Sequence, residues 1–298
     1  MRIERLKKDR QKGFIDYCIR YRDRLDDSFL TDDVLKKFEL NEENPTHIIL
    51  DDADKIVGVS SLYKSKYYKR SGKARFRILH SEIYDVKVYK KLLEAALLHV
   101  DELERLIIFC PEQNEELTSL LPVLGFEIER YAFILDREDL PIPEWKFPED
   151  YELRTFRYGK DEEDWCKARN AAFAKHLGSE APITPTMLSK FLQGEDNIED
   201  GMMILYHKSE PVGVLCVAKE FKNNEDYASI VLLGLIPEYQ KKGLGRKLLQ
   251  AGLSFGRDNG MNKATLAVNA ENKSAADLYL SEGFHKDGVY IGYNYNLK

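Results

Sequence analysis

One stretch of this 298-residue chain concentrates residues able to hold a phosphorylated ligand: Ser229 to Leu249, SIVLLGLIPEYQKKGLGRKLL. It reads as an apolar strand, a break at Pro237, a short polar turn, and a helix opened by Gly243-Leu244-Gly245. A helix N-terminus offers unpaired backbone N–H groups and a partial positive charge. Gly243 and Gly245 lack a Cβ, so a phosphate can approach the backbone closely. Lys241, Lys242 and Arg246 add cationic charge beside the loop. The set suits a pyrophosphate. It is not a P-loop, because no Gly-Lys-Ser/Thr follows, and not a dinucleotide fingerprint, because G-x-G-x-x-G is absent.

The elements around this stretch follow from periodicity. Asp161–Leu177 predicts a helix, Met202–Tyr206 and Val212–Ala218 a strand pair, and Tyr227–Ile236 a long apolar strand. Gly243–Asn259 predicts a helix ended by Asn259-Gly260, Lys263–Asn269 a strand, Lys273–Ser281 a helix stopped at Gly283, and His285–Leu297 strands. Helices alternating with strands give an α/β (α+β) class, a mixed sheet flanked by helices.

The chain repeats this unit. Ile48–Leu62 lies over Met203–Val217, each with Val-Gly-Val opening its second apolar run, and Asn114–Phe126 lies over Asn272–Phe284 with Asn and Gly-Phe in register. Between the halves, Asp136–Asp150 holds Pro141, Pro143 and Pro148 among charges, which predicts an extended linker. The expected division is therefore 1–135, a linker over 136–150, and 151–298.

Composition excludes several classes. The net charge is -6 and neither half is basic, so no nucleic-acid partner is expected. No apolar run approaches the ~20 residues of a membrane helix, so no membrane partner is expected. The charged N-terminus does not read as a secretory signal, and Cys18, Cys110, Cys166 and Cys216 are too dispersed for a zinc site, so a cytoplasmic protein without a metal is expected.

Gln240-Lys241-Lys242-Gly243-Leu244-Gly245 resembles the Q/R-x-x-G-x-G/A loop of the GNAT superfamily of acyl-CoA-dependent N-acetyltransferases. Asn272, Ala275, Tyr279 and Gly283-Phe284 are similar to that family's downstream N-x-x-A-x-x-x-Y-x-x-x-G-F pattern. Asn170–His176 and the tandem layout are similar to the mycothiol-synthase type. The resemblance implies two tandem GNAT-like domains, acetyl-CoA as cosubstrate and a small-molecule amine as acceptor. It implies that backbone N–H groups from Gln240 to Arg246 grip the pyrophosphate, that Leu235 and Ile236 pair with the pantetheine arm, and that Asn272 hydrogen-bonds it. Tyr279 becomes the general acid for the departing thiolate.

Other roles stay open at this stage. Tyr279 also fits a core aromatic, and Asn272 fits a helix cap. For the general base the sequence offers Glu225, Asp226, Glu238, His176 or a water chain, with Ser229 at the position where relatives often carry Glu. A CoA sensor without catalysis and an enzyme for peptide amines are the competing functions.

The first copy departs from the pattern. Aligned through Leu92-Leu93 and Leu248-Leu249, the loop glycines become about Lys87 and Tyr89; at the offset that lays Asn114–Phe126 over Asn272–Phe284, Tyr279 becomes Leu121. Residues 1–135 are therefore expected not to bind CoA.

Overall fold

The computed structural model describes residues 1–298 apart from 177, 180, 192–196 and 223, with the backbone alone for 189–191 and 197. The chain forms two compact units, Met1–Ala132 with Gly288–Lys298, and Phe133–Asp287.

The first unit runs β1 (Arg2–Arg5), α1 (Gln11–Tyr21), α2 (Asp32–Lys36), β2 (Thr46–Leu50), β3 (Ile56–Tyr63), α3 (Lys66–Arg70), β4 (Lys73–Ser81), α4 (Val86–Leu97), β5 (Arg105–Pro111), α5 (Glu115–Val123) and the start of β6 (Glu127–Arg137). The second runs from the end of β6 through β7 (Tyr151–Thr155), α6 (Glu162–Phe173), α7 (Pro185–Phe191), β8 (Asn197–His207), β9 (Glu210–Lys222), β10 (Glu225–Leu235), α8 (Leu244–Asp258), β11 (Lys263–Asn269), α9 (Lys273–Ser281) and the start of β12 (His285–Asn296). The strand order is β1-β2-β3-β4-β5-β12 in the first unit and β6-β11-β10-β9-β8-β7 in the second.

Two boundaries differ from the sequence expectation. The last strand of the chain builds into the first unit, where Tyr290–Asn296 of β12 pair antiparallel with Arg105–Pro111 of β5. Ile291 and Tyr293 complete that unit's apolar core. Alternation in the sequence predicts a strand but not its partner, because pairing is set by packing. The proline segment, in turn, is not a free linker. Asp136 and Arg137 end β6, and Ile142, Trp145 and Phe147 pack against the second unit's core. Trp145 Nε1 donates to Ser254 Oγ at 2.8 Å, and Arg257 Nη2 donates to the Leu140 carbonyl at 2.7 Å.

The repeat is visible in the ladders. Gly58 of the first Val-Gly-Val faces Ser81, and Gly213 of the second faces Leu235. Each inner strand carries one bulge. It leaves Arg77 unmatched on β4 and Val231 unmatched on β10. Beyond the ladder, Glu82 N donates to the Val57 carbonyl, as Ile236 N does to that of Val212. Ser81 is therefore the counterpart of Leu235, and Glu82 that of Ile236.

In the second unit β9 is buried from Pro211 to Ala218, with α6 and α8 packed against it. α8 presents Leu244, Leu248, Leu249, Ala251 and Leu253 to the core at helical spacing. α6 lies close on β10 at Gly234, where a Cβ would meet Phe173 Cε2 at 2.5 Å. This close approach turns Phe173 into a wall of the site described next.

Candidate active site

β10 and β11 run parallel only over Tyr227–Ser229 against Lys263–Thr265. Past that point the strands part, and a cleft of about 540 Å³ lies between Ile230–Leu235 on one side and Ala267–Asn269 on the other. Leu235, Gln240, Lys241, Gly243, Gly245, Arg246, Asn272 and Tyr279 line it, as do Phe173, His176 and Ser179.

The phosphate-type loop sits at one end. Gly243, at φ +77°, is the N-cap of α8, and no side chain caps the helix. A Cβ at Gly243 would meet nothing within 4 Å, so glycine answers the left-handed backbone there. At Gly245 a Cβ would stand 3.7 Å from Leu235 Cδ1 and from Leu278 Cδ2. The protein itself has room for a Cβ at Gly245, and its absence keeps the cleft wall there bare. Lys241 also takes a left-handed φ of +60°, an uncommon state for a side-chain-bearing residue. The first-turn N–H groups of α8 lack intrahelical partners and face no competing cap.

Not every loop residue reaches the cleft. Leu244 is buried in the core, and Lys242 places its ammonium 4.9 Å from the Tyr239 ring centroid. The Gln240 side chain turns back and donates to the Leu235 carbonyl at 2.9 Å, tying the loop to the strand exit. Arg246 is engaged by the Glu282 carboxylate and by Ser281 Oγ.

The strand edge bears on two of the residues named for the donor's arm. Ile236 N donates to the Val212 carbonyl at 3.0 Å, and the Ile236 carbonyl accepts from Tyr239 N at 3.0 Å. The Ile236 N–H is spent on β9 and its carbonyl already accepts one bond, so Ile236 has no N–H to offer an extended arm. In an antiparallel ladder hydrogen-bonded and open pairs alternate. With Ile236 bonded to β9, the N–H groups of Leu235 and Leu233 point away from it, toward the open edge. Leu233, which the sequence reading missed, thus joins Leu235. Only register parity reveals it, and parity is not legible before the bulge at Val231 is located.

Tyr279 is 8% exposed and lines the cleft from α9. Its ring packs 5.9 Å from that of Phe284. Burial pushes the phenol up to about 12. Among the described residues its hydroxyl has no protein hydrogen-bond partner, so the proton is held and available. Asn272 caps α9, its Oδ1 accepting from Ala275 N at 3.3 Å, while the residue also faces the cleft.

The carboxylates weighed as bases lie elsewhere. Glu225 pairs with Lys263, Asp226 with Lys219 at 2.6 Å, and Glu238 is not on the cleft wall. Among the described residues no carboxylate lines the cleft and His176 is its one imidazole. His176 N donates to the Phe173 carbonyl at 3.0 Å, and α6 also holds residues further along. Asn170 Nδ2 donates to the Ile183 carbonyl and Asn170 Oδ1 accepts from Ile183 N, both at 2.9 Å, and Arg169 Nη1 donates to the Ala181 carbonyl at 2.7 Å. Among the described residues no cluster of His, Cys, Asp and Glu could hold a metal ion, and no helix is long and apolar enough to cross a membrane.

Known proteins share this architecture. The sequence pattern of the Acetyltransferase (GNAT) family matches residues 147–284. A mycothiol acetyltransferase from Acidothermus cellulolyticus is 31% identical over 182 residues, 56% of this chain and 55% of that one, so the chain spans about half the length of this curated relative. A GCN5-related N-acetyltransferase from Sphaerobacter thermophilus superposes with a TM-score of 0.74 at 15% identity, covering 100% of this chain and 96% of that one. A tandem GNAT protein from the clavulanic acid biosynthesis pathway does so with a TM-score of 0.73 at 13% identity, covering 99% and 98%. These likenesses show a tandem GNAT fold, and residues 147–284, which hold the glycine loop and the parted strands, are the part of the chain that matches the Acetyltransferase (GNAT) family.

Proposed function

We propose that the second unit is an acetyl-CoA-dependent N-acetyltransferase that acetylates a primary amine of a small molecule by direct attack, with both substrates bound together. The observation that carries this reading is the convergence in one cleft of an uncapped helix N-terminus, an open strand edge and an unengaged phenol.

The donor brings its acetyl group as a thioester. The amides of the Gly243–Arg246 turn bind its pyrophosphate, and Lys241 adds charge at the same end. The N–H groups of Leu233 and Leu235 pair with the amide-bearing arm or polarise the reacting carbonyl. Tyr279, fully protonated at neutral pH, gives its proton to the departing sulfur. His176 is the side chain on the cleft wall that can receive the amine's proton. The curated relative's name, mycothiol acetyltransferase, supports a small-molecule acceptor. In this reading the first unit takes no acetyl-CoA and acts as support.

The test is thiol release from acetyl-CoA across a panel of primary amines. Amine-dependent release, strongly reduced by Tyr279→Phe, is expected. Tight CoA binding with no amine-dependent release would replace the enzyme with a sensor.

A further inference from the structure

Glu282 is a buried carboxylate that the acetyl-transfer reading leaves without a task. Its side chain is 4% exposed. It reaches two residues one turn apart on α8: it pairs with the Arg246 guanidinium, and Gln250 Nε2 donates to its Oε2 at 2.9 Å. Its carbonyl accepts from Arg137 Nε at 2.8 Å. Its own N–H donates to the Tyr279 carbonyl at 3.0 Å, so the same residue closes the helix turn that carries the phenol. One side chain therefore locks α8, which presents the phosphate loop, to the end of α9, which presents the proton donor.

The first unit supplies an internal control. Its α5 starts from a capping asparagine, Asn114, and ends at Gly125-Phe126, as α9 starts from Asn272 and ends at Gly283-Phe284. The residue before that glycine is Leu124 in the first unit and Glu282 in the second. Opposite it, Lys90 and Glu94 stand where Arg246 and Gln250 stand. Leu124 is buried in the first core, so the same junction closes with an apolar side chain. Burying an ion pair is seldom better for stability than an apolar replacement. The fold does not call for Glu282. The clamp occurs in the unit that has the open glycine loop and the tyrosine, and is absent from the unit that lacks both.

We infer that Glu282 is a positioning residue for acetyl transfer: through Arg246 and Gln250 it sets the place of the Tyr279 hydroxyl relative to the bound donor. The inference rests on the acetyl-transfer reading. It also gives Arg246 a different main role, since its guanidinium is neutralised by Glu282 rather than left for phosphate.

The experiment is a double-mutant cycle on the full chain with Glu282→Leu, which imitates the first unit, and Tyr279→Phe. Glu282→Leu is expected to fold, to lower kcat by about 10-fold as a misplaced donor does, and to leave KM for acetyl-CoA unchanged or lower, because Arg246 is released. In the Tyr279→Phe background it should cost nothing further. Glu282→Gln, closer in shape, should show a smaller loss with the same non-additivity and covers the case of a misfolded leucine variant. Wild-type kcat in both variants, or a full multiplicative loss in the Tyr279→Phe background, overturns the inference. A wild type that releases no CoA with any amine overturns the acetyl-transfer reading instead, so the two failures are distinguishable.

Discussion

The two units share a ladder and differ in what fills the space beside it. In the second unit the Leu235 N–H faces an open edge, α8 starts without a side-chain cap, and Asn272 faces a cleft. In the first unit each counterpart is taken. Ser81 N donates to the Tyr89 hydroxyl at 3.2 Å, and Tyr89, at the position of Gly245, is 2% exposed. Asp85 caps α4 by accepting from Lys87 N at 2.7 Å, placing a carboxylate where a phosphate would have to sit. Asn114 Nδ2 donates to the Arg24 carbonyl at 2.7 Å, and Arg77, at the bulge position of Val231, donates to the Phe29 carbonyl at 2.9 Å. Residues 24–29 thus satisfy, from within the chain, groups whose counterparts in the second unit line the cleft. Backbone polar groups must be paired, and each unit meets that requirement differently: one with its own residues, the other by leaving room.

The largest way to break this contrast is Gly245→Tyr. The site has space for a Cβ, and the Tyr89 geometry shows where the ring would go. Calorimetry should find acetyl-CoA affinity reduced by at least about 100-fold, with a phosphate-bearing ligand denied its backbone amides, and an unchanged thermal melt. Tyr279→Phe comes next. It removes the acid proposed for the thiolate, and a positioned acid typically contributes about 10²–10⁴-fold, so steady-state kinetics should show kcat lowered by at least about 10-fold with acetyl-CoA affinity retained.

A smaller effect concerns pH. The Tyr279 phenol is raised to about 12 by burial, against about 10 in an unfolded chain. Its stability contribution is present below pH ~10 and is lost as pH rises toward ~12, because the unfolded state ionises first. Between pH 8 and pH 11, urea melts should show wild type losing about 1 kcal/mol more stability than Tyr279→Phe does. In kinetics the same displacement means no alkaline fall from loss of this acid below pH ~11. The smallest effect is Lys241→Gly, which relieves a left-handed φ of +60°. Stability should change by about 1 kcal/mol or less, and donor affinity by a few-fold through the lost charge.

Much of this was legible in the sequence. The helix predicted over 243–259 is α8, and the strand over 263–269 and helix over 273–281 match β11 and α9. Periodicity and the Gly and Asn stops carry such elements because they depend on local pattern. What sequence could not give depends on partners. The pairing of β12 with β5 depends on which core lacks a neighbour. The spent N–H of Ile236 and the open N–H of Leu233 depend on register parity across a bulge. Of the two roles open for Asn272, the cap is observed: its oxygen accepts from Ala275 N at the start of α9, while the residue faces the cleft. Glu282 carried no motif. Its meaning comes from being buried among Arg246, Gln250 and Arg137 while its counterpart is Leu124.

The contrast between the units comes down to one proposed donor site per chain, in the second unit. Calorimetric titration of acetyl-CoA into the full chain tests it most directly. One molecule bound per chain is expected, with all measurable binding lost in Gly245→Tyr. Two molecules per chain, or one that survives Gly245→Tyr, would contradict it.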